Sequence, residues 1–182
     1  MFDINNRRYI GNKFKINDWI FRNIKEHCEG NSFFDIFGGT GVVTARAILE
    51  GYEKTIINDF LYSNEIIYSA YFGEENVDEK KLLNFVNKHN KMKYQGLTNY
   101  FSENFGDKYF KQNDAIKIGE IRENIKQEYE LGKLNYREHN VLIASLIYSM
   151  DKVSNTVGHY EAYLRKRQDE KYFEYKLVDF KK

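Results

Sequence analysis

Apolar positions recur along this chain in two rhythms, and the change from one to the other divides it. Between Ile16 and His27, the residues Ile16, Trp19, Ile20 and Ile24 share one face of a 3.6-residue repeat, which predicts an amphipathic helix. Gly30-Asn31 ends it. Ser32-Phe33-Phe34-Asp35-Ile36-Phe37 is short, apolar and aromatic, as a buried strand is. Glycines follow at 38, 39 and 41, and Val42 to Glu50 predicts a helix that Gly51 closes with a left-handed cap. Lys54-Thr55-Ile56-Ile57-Asn58-Asp59 predicts a second strand. Strand, turn, helix and strand in this order make a βαβ unit with a parallel sheet.

Beyond Asp59 the spacing is helical. Leu61 to Phe72 and Lys80 to His89 predict helices, and a polar, aromatic stretch runs on through Tyr109. Ile116, Ile118, Ile121 and Ile125 mark another helix face, Gly132 breaks it, and Asn135 to Met150 predicts one more helix. The tail from Lys166 reads as charged and weakly patterned. The expected organisation is a single domain over 1–182, with a cofactor-type βαβ unit in 1–75 and a helical part in 76–182. Two strands do not make a stable doubly wound sheet, so the remaining strands are expected to lie elsewhere, or in the tail and the Tyr94 to Phe110 region.

Composition narrows the function classes. The 182 residues, 42% hydrophobic and 30% charged, suit one globular core. A net charge of +1 gives no global basic field, so contact with nucleic acid would need a local patch. The lone Cys28 excludes an internal disulfide and fits a reducing compartment. His27, His89, His139 and His159 lack companions at ligand spacing, which predicts no metal site. No run approaches the ~20 apolar residues of a bilayer span, and a cytoplasmic protein is expected.

The chemistry lies at the glycine turn. Gly38, Gly39 and Gly41 between a strand and a helix allow a tight turn and close approach to a ligand, whose polar end the helix N-terminal N–H groups would meet. Asp59 ends the next strand, 18 residues after Gly41. A carboxylate there accepts hydrogen bonds from the ribose hydroxyls of an adenosine-type cofactor. Three glycines forming a plain turn, with Asp59 capping the following helix, is the bland alternative. Spacing alone does not separate S-adenosylmethionine (SAM) from NAD, although NAD sites favour a third glycine where Thr44 stands here.

Longer segments carry a specific resemblance. Arg8-Tyr9-Ile10-Gly11-Asn12-Lys13, Asp35-Ile36-Phe37-Gly38-Gly39-Thr40-Gly41 and Asn58-Asp59-Phe60 resemble, in this order, the N-terminal, glycine-loop and acidic motifs of SAM-dependent DNA adenine-N6 methyltransferases whose cofactor motifs precede the recognition domain. Asn113 to Arg122 and Lys152 to Leu164 resemble later helical stretches of that family. The resemblance implies a Rossmann-like α/β fold, here a partial sheet with a helix-rich second half. It implies that Tyr9, Asn12 and Lys13 approach the methionine end of SAM and that Gly38, Gly39, Thr40 and Gly41 wrap it. Phe37 would line the pocket, Asp35 would orient the amino group and Asp59 would bind the ribose.

The same resemblance implies DNA as substrate. His159 to Arg167 mixes aromatics with cations, and Tyr160, Tyr163, Arg165, Lys166 and Arg167 are candidates for phosphate and base contact; a solvated helix end explains them equally. The family methylates through a short Asp/Asn-Pro-Pro-Tyr/Phe segment, and these 182 residues contain no proline. No catalytic residue is therefore assigned, and the chain alone is expected to be inactive. The expected picture is the SAM-binding part of a restriction-modification enzyme, split or truncated before its catalytic motif, with a second chain or a C-terminal part supplying it. A non-catalytic or regulatory SAM-binding module, or a methyltransferase acting on RNA or small molecules, is the alternative.

Overall fold

The computed structural model describes residues 3–7, 11–94, 96–156, 160–164 and 171–180. Short 3-10 turns at Ile4–Asn6 and Phe14–Ile16 lead into helix α1, Asn17–His27. Strand β1, Ser32–Asp35, helix α2, Val42–Leu49, and strand β2, Lys54–Ile57, then form the expected βαβ unit. Its strands pair in parallel, with Phe33 opposite Thr55 and Asp35 opposite Ile57. Both strands are shorter than their apolar runs. Past Asp35 the side chain of Asn58 takes over from the ladder, donating to the Ile36 carbonyl at 3.0 Å, while Asn58 also receives the Gly38 N–H on its own carbonyl at 2.8 Å.

One face of the sheet is covered and the other is open. Phe33 stacks on Phe21 of α1, with ring centroids 5.8 Å apart, and meets the edge of Tyr52 at 5.4 Å. On the opposite face Phe34 and Ile56 lie side by side in register, 56% and 43% exposed. Among the described residues the sheet has only these two strands.

The rest is helical: α3, Tyr62–Phe72; α4, Glu79–Lys91; α5, Tyr100–Phe105; α6, Gln112–Glu130; and α7, Tyr136–Asp151. Helix α3 packs along α7, and α6 packs against both α5 and α7. Thus α3 joins the βαβ unit to the helical part, and Tyr71 of α3 lies 6.1 Å from Tyr148 of α7, ring to ring. His89, buried in α4, has one ring nitrogen 2.8 Å from the Phe85 carbonyl and the other 3.2 Å from the Asn124 amide, so both nitrogens are partnered within the core.

Three features depart from the sequence expectation. The stretch from Lys152 to Leu164, expected to be helical by the family resemblance, is turn and irregular backbone in its described residues, 152–156 and 160–164, because α7 ends at Asp151. The polar stretch before Tyr109 contains α5, opened by a capping box in which the Asn99 carboxamide and Ser102 bond each other's backbone N–H at 3.0 and 2.9 Å. The tail is core rather than a solvated end. Phe173, Tyr175, Leu177, Val178 and Phe180 are all buried, whereas Glu174 and Lys176 pair outside them at 2.7 Å. Among the described residues no strand pairs with this segment. Side chains bind its backbone instead: Asn90 holds the Tyr175 peptide at both N–H (3.0 Å) and carbonyl (2.7 Å), and Ser149 and Ser145 accept from the Lys176 and Val178 N–H groups at 3.0 Å.

Gly119 shows how closely the helices fit. Asn99 also reaches α6, donating to the Ile116 carbonyl at 2.9 Å, and a Cβ on Gly119 would collide with its carboxamide. Alanine favours a helix interior by about 1 kcal/mol over glycine. Here Gly119→Ala is nonetheless expected to destabilise the protein by about 1–2 kcal/mol, because displacing Asn99 removes the α5 cap. A urea melt checks this; a midpoint equal to or above wild type would show that Asn99 relaxes at no cost.

Candidate cofactor site

The two strand ends bring the glycine turn and the acid together. Gly39 and Gly41 adopt positive φ values of 54° and 81°, a region costly for residues with a side chain. A Cβ on Gly38 would lie 2.6 Å from Ile57 Cγ1 and 2.8 Å from the Tyr68 hydroxyl, so the loop passes β2 and α3 at a distance only glycine permits. The Gly41 N–H closes the turn on the Gly38 carbonyl at 2.8 Å, and α2 starts directly afterwards without a side-chain N-cap.

Asp59 sits where β2 gives way to α3. Its Oδ2 accepts the Gly39 N–H at 2.8 Å, and its Oδ1 accepts the Leu61 N–H at 3.0 Å and the Asn64 amide at 2.8 Å. Burial alone would raise its pKa. The bonds from Leu61, Gly39 and Asn64, with the Arg7 guanidinium nearby, outweigh burial and hold the carboxyl below the usual aspartate range. A carboxylate offers about four acceptor positions, so with three filled it keeps room for about one further donor. Asp35, at the end of β1, accepts the Thr44 hydroxyl at 3.0 Å and thereby ties strand to helix across the loop.

Aromatic side chains rim the strand ends. Phe37 is 78% exposed and Phe60 97% exposed, each just beyond one strand. Asn12 uses its carboxamide oxygen within its own turn, accepting the Phe14 N–H at 2.9 Å, while the Lys13 carbonyl accepts the Ile16 N–H at 3.0 Å. The residues around that motif reach the site: Asn17 donates to the Val42 carbonyl at 3.0 Å, and Arg7 bonds the Asn64 carboxamide. Tyr9 lies outside the described residues.

The described DNA candidates, Tyr160 and Tyr163, pack against Tyr109 and Phe110. Tyr163 meets Tyr109 edge-on at 5.3 Å, and Tyr160 stacks on Phe110 at 6.3 Å while its hydroxyl donates to the Asp151 carboxylate at 2.7 Å. Burial and the Asp151 charge push the Tyr160 phenol well above its ordinary pKa. Arg165, Lys166 and Arg167 lie outside the described residues.

Sequence reasoning missed Tyr68 and Asn64. Tyr68 donates its hydroxyl to the Gly39 carbonyl at 2.8 Å, and Asn64, one helical turn earlier, holds Asp59. Their four-residue spacing on the helix after the acid was the available signal, and it reads as ordinary core periodicity.

A parallel βαβ unit with a glycine turn after one strand and an acid after the next defines a class of proteins that hold nucleotide-type cofactors at strand carboxyl ends. Residues 9–182 match the D12 class N6 adenine-specific DNA methyltransferases, and the chain belongs to that family. It is 30% identical over 172 residues to the modification methylase LlaI of Lactococcus lactis subsp. lactis, covering 87% of this chain and 27% of that protein. It is 32% identical over 163 residues to the type II methyltransferase M.CviAII of Paramecium bursaria Chlorella virus 1, covering 87% of this chain and 49% of the relative. With M.NlaIII of Neisseria lactamica the identity is 26%, over 86% of this chain and 49% of the relative. The chain thus spans about half the length of these relatives or less. No solved structure matches it.

Proposed function

We propose that this chain is the SAM-holding part of a restriction-modification adenine-N6 DNA methyltransferase with a Rossmann-like cofactor fold, and that methyl transfer needs a further polypeptide segment. The observation that carries the cofactor reading is the bond from Gly39 N–H to Asp59, which sets the glycine loop and the acid side by side in a chain of this family. The residues fit the group: a turn with Gly39 and Gly41 at positive φ, an ionised acid with acceptor capacity to spare, and an aromatic ring standing free at Phe37. When bound, SAM supplies a methyl group on a sulfonium, open to attack by an amine. Asp59 accepts from the ribose, Asp35 orients the amino group, and Gly38 to Gly41 follow the methionine part, with Tyr9, Asn12 and Lys13 on its other side. Phe37 covers the pocket.

DNA is the proposed substrate. Its adenine has to leave the stack before its amino group can be reached. The stretch of Tyr160, Tyr163, Arg165, Lys166 and Arg167 is the proposed contact; Tyr160 and Tyr163 pack against Phe110 and Tyr109 and, as whole residues, remain 42% and 47% exposed.

Calorimetric titration with SAM tests the cofactor site. Asp59→Ala is expected to weaken binding by roughly 1.5–3 kcal/mol, about 10- to 150-fold, through loss of a charge-assisted bond to the ribose and of the anchor for Gly39. Equal affinity in the variant would remove Asp59 from the site. Binding of NAD without SAM would overturn the cofactor reading altogether.

A further inference from the structure

We infer that Tyr68 is a positioning residue for the cofactor loop: together with Asp59 it locks Gly39 in its left-handed conformation before any ligand arrives. This rests on the cofactor reading above. Gly39 has φ of 54°, and its conformation is set by the two peptide groups that flank it. The preceding group is held through the Gly39 N–H, which Asp59 accepts at 2.8 Å. The following group is held through the Gly39 carbonyl, to which the Tyr68 hydroxyl donates at 2.8 Å. One residue is thus gripped on both sides by side chains from outside the loop.

The grip belongs to helix α3. Tyr68 is 7% exposed and Asn64 fully buried, and the two lie four residues apart on one helix face. Asn64 fixes the Asp59 carboxylate from its other oxygen at 2.8 Å, while its own carbonyl oxygen accepts from Arg7. The hydroxyl of Tyr68 reaches the loop across the space that a Cβ on Gly38 would fill, being 2.8 Å from that position. Gly38 therefore does more than permit a turn: it leaves the path by which α3 reaches Gly39. A loop held in one shape loses less conformational freedom on binding, and the benefit appears as affinity.

Tyr68→Phe removes the hydroxyl and keeps the ring, and Tyr175→Phe is the matched control. Tyr175 is likewise buried and donates to a backbone carbonyl, that of Leu142 at 2.8 Å, in the helical part of the fold. Both variants are expected to lower the melting temperature by similar amounts. Only Tyr68→Phe is expected to weaken SAM binding, by about 3- to 10-fold. Unchanged affinity in Tyr68→Phe, or an equal loss in Tyr175→Phe, overturns the proposal. Hydrogen exchange of the ligand-free protein decides it separately from the cofactor reading. Tyr68→Phe should speed exchange of the Gly39 and Gly41 amides several-fold relative to Tyr175→Phe, and equal rates overturn the lock even where SAM binds. Failure of the wild-type chain to bind SAM, with that exchange difference present, refutes the cofactor reading and leaves the lock standing.

Discussion

Removing residues 171–182 is expected to leave a chain that no longer melts cooperatively. The segment buries Phe173, Tyr175, Leu177, Val178 and Phe180. Burial of side chains of this size is worth about 1.5–3 kcal/mol each, so together they contribute about 8–15 kcal/mol, comparable with the whole stability of a typical domain. The loss extends beyond area. Asn90, Ser145 and Ser149 would each lose a backbone partner, and the Arg137 guanidinium would lose the Phe180 carbonyl it now meets at 3.1 Å. Circular dichroism through a thermal ramp checks this. A sharp transition within a few degrees of the full chain would mean that the tail is a passenger on a core that closes without it.

The tail also shows where reading the sequence runs out. Phe173-Glu174-Tyr175-Lys176-Leu177 alternates inside and outside, but the run is five residues long and follows a strongly charged stretch. Its backbone is satisfied by amide and hydroxyl side chains from α4 and α7, more than two dozen positions away in sequence, and no local pattern announces such partners. Helix α5 was hidden for a related reason. Its capping box uses Ser102 where glutamate or glutamine is the usual signal, and its six residues are too few to show a period. The βαβ unit was legible because its signals are local: an aromatic run, glycines, a helix and an acid at fixed spacing. The same locality explains the division within the site. Gly38 to Gly41 and Asp59 could be named from sequence, whereas Tyr68 and Asn64, which hold them, carry the spacing of an ordinary core face. At the other cluster the sequence left Tyr160 open between a base-contacting ring and part of a solvated helix end, and the structure gives its hydroxyl an internal partner in Asp151.

Methyl transfer to adenine in DNA is expected to be absent from this chain alone and to rise at least about 1,000-fold over background when the completing segment is supplied, as the scale of enzymatic rate enhancement allows. Adenine N6 is a poor nucleophile because its lone pair is delocalised into the ring. It needs acceptors placed at the amino group and a ring to stack the extruded base, the roles that the Asp-Pro-Pro-Tyr segment fills in the family, and no proline occurs among these 182 residues. The sheet is the place we propose for such a segment. Among the described residues, Phe34 and Ile56 leave one face uncovered, Ile36 and Phe37 are exposed just beyond β1, and each strand has one edge without a described partner. Exposed edges and apolar patches favour association. A polypeptide adding strands beside β1, with helices packed across the Phe34 and Ile56 face, would cover both edge and face and bring its catalytic loop to the strand ends where the glycine turn lies. The measurement is tritium transfer from labelled SAM to adenine-containing duplexes, with this chain alone and with the polypeptide encoded directly after it, accompanied by sedimentation of each mixture. A joint sedimenting species with activity is the expected result. Methylation by the chain alone would show that catalysis uses other residues. A monomer that melts cooperatively at an ordinary temperature and gains nothing from the added polypeptide would show that the open face has no such occupant.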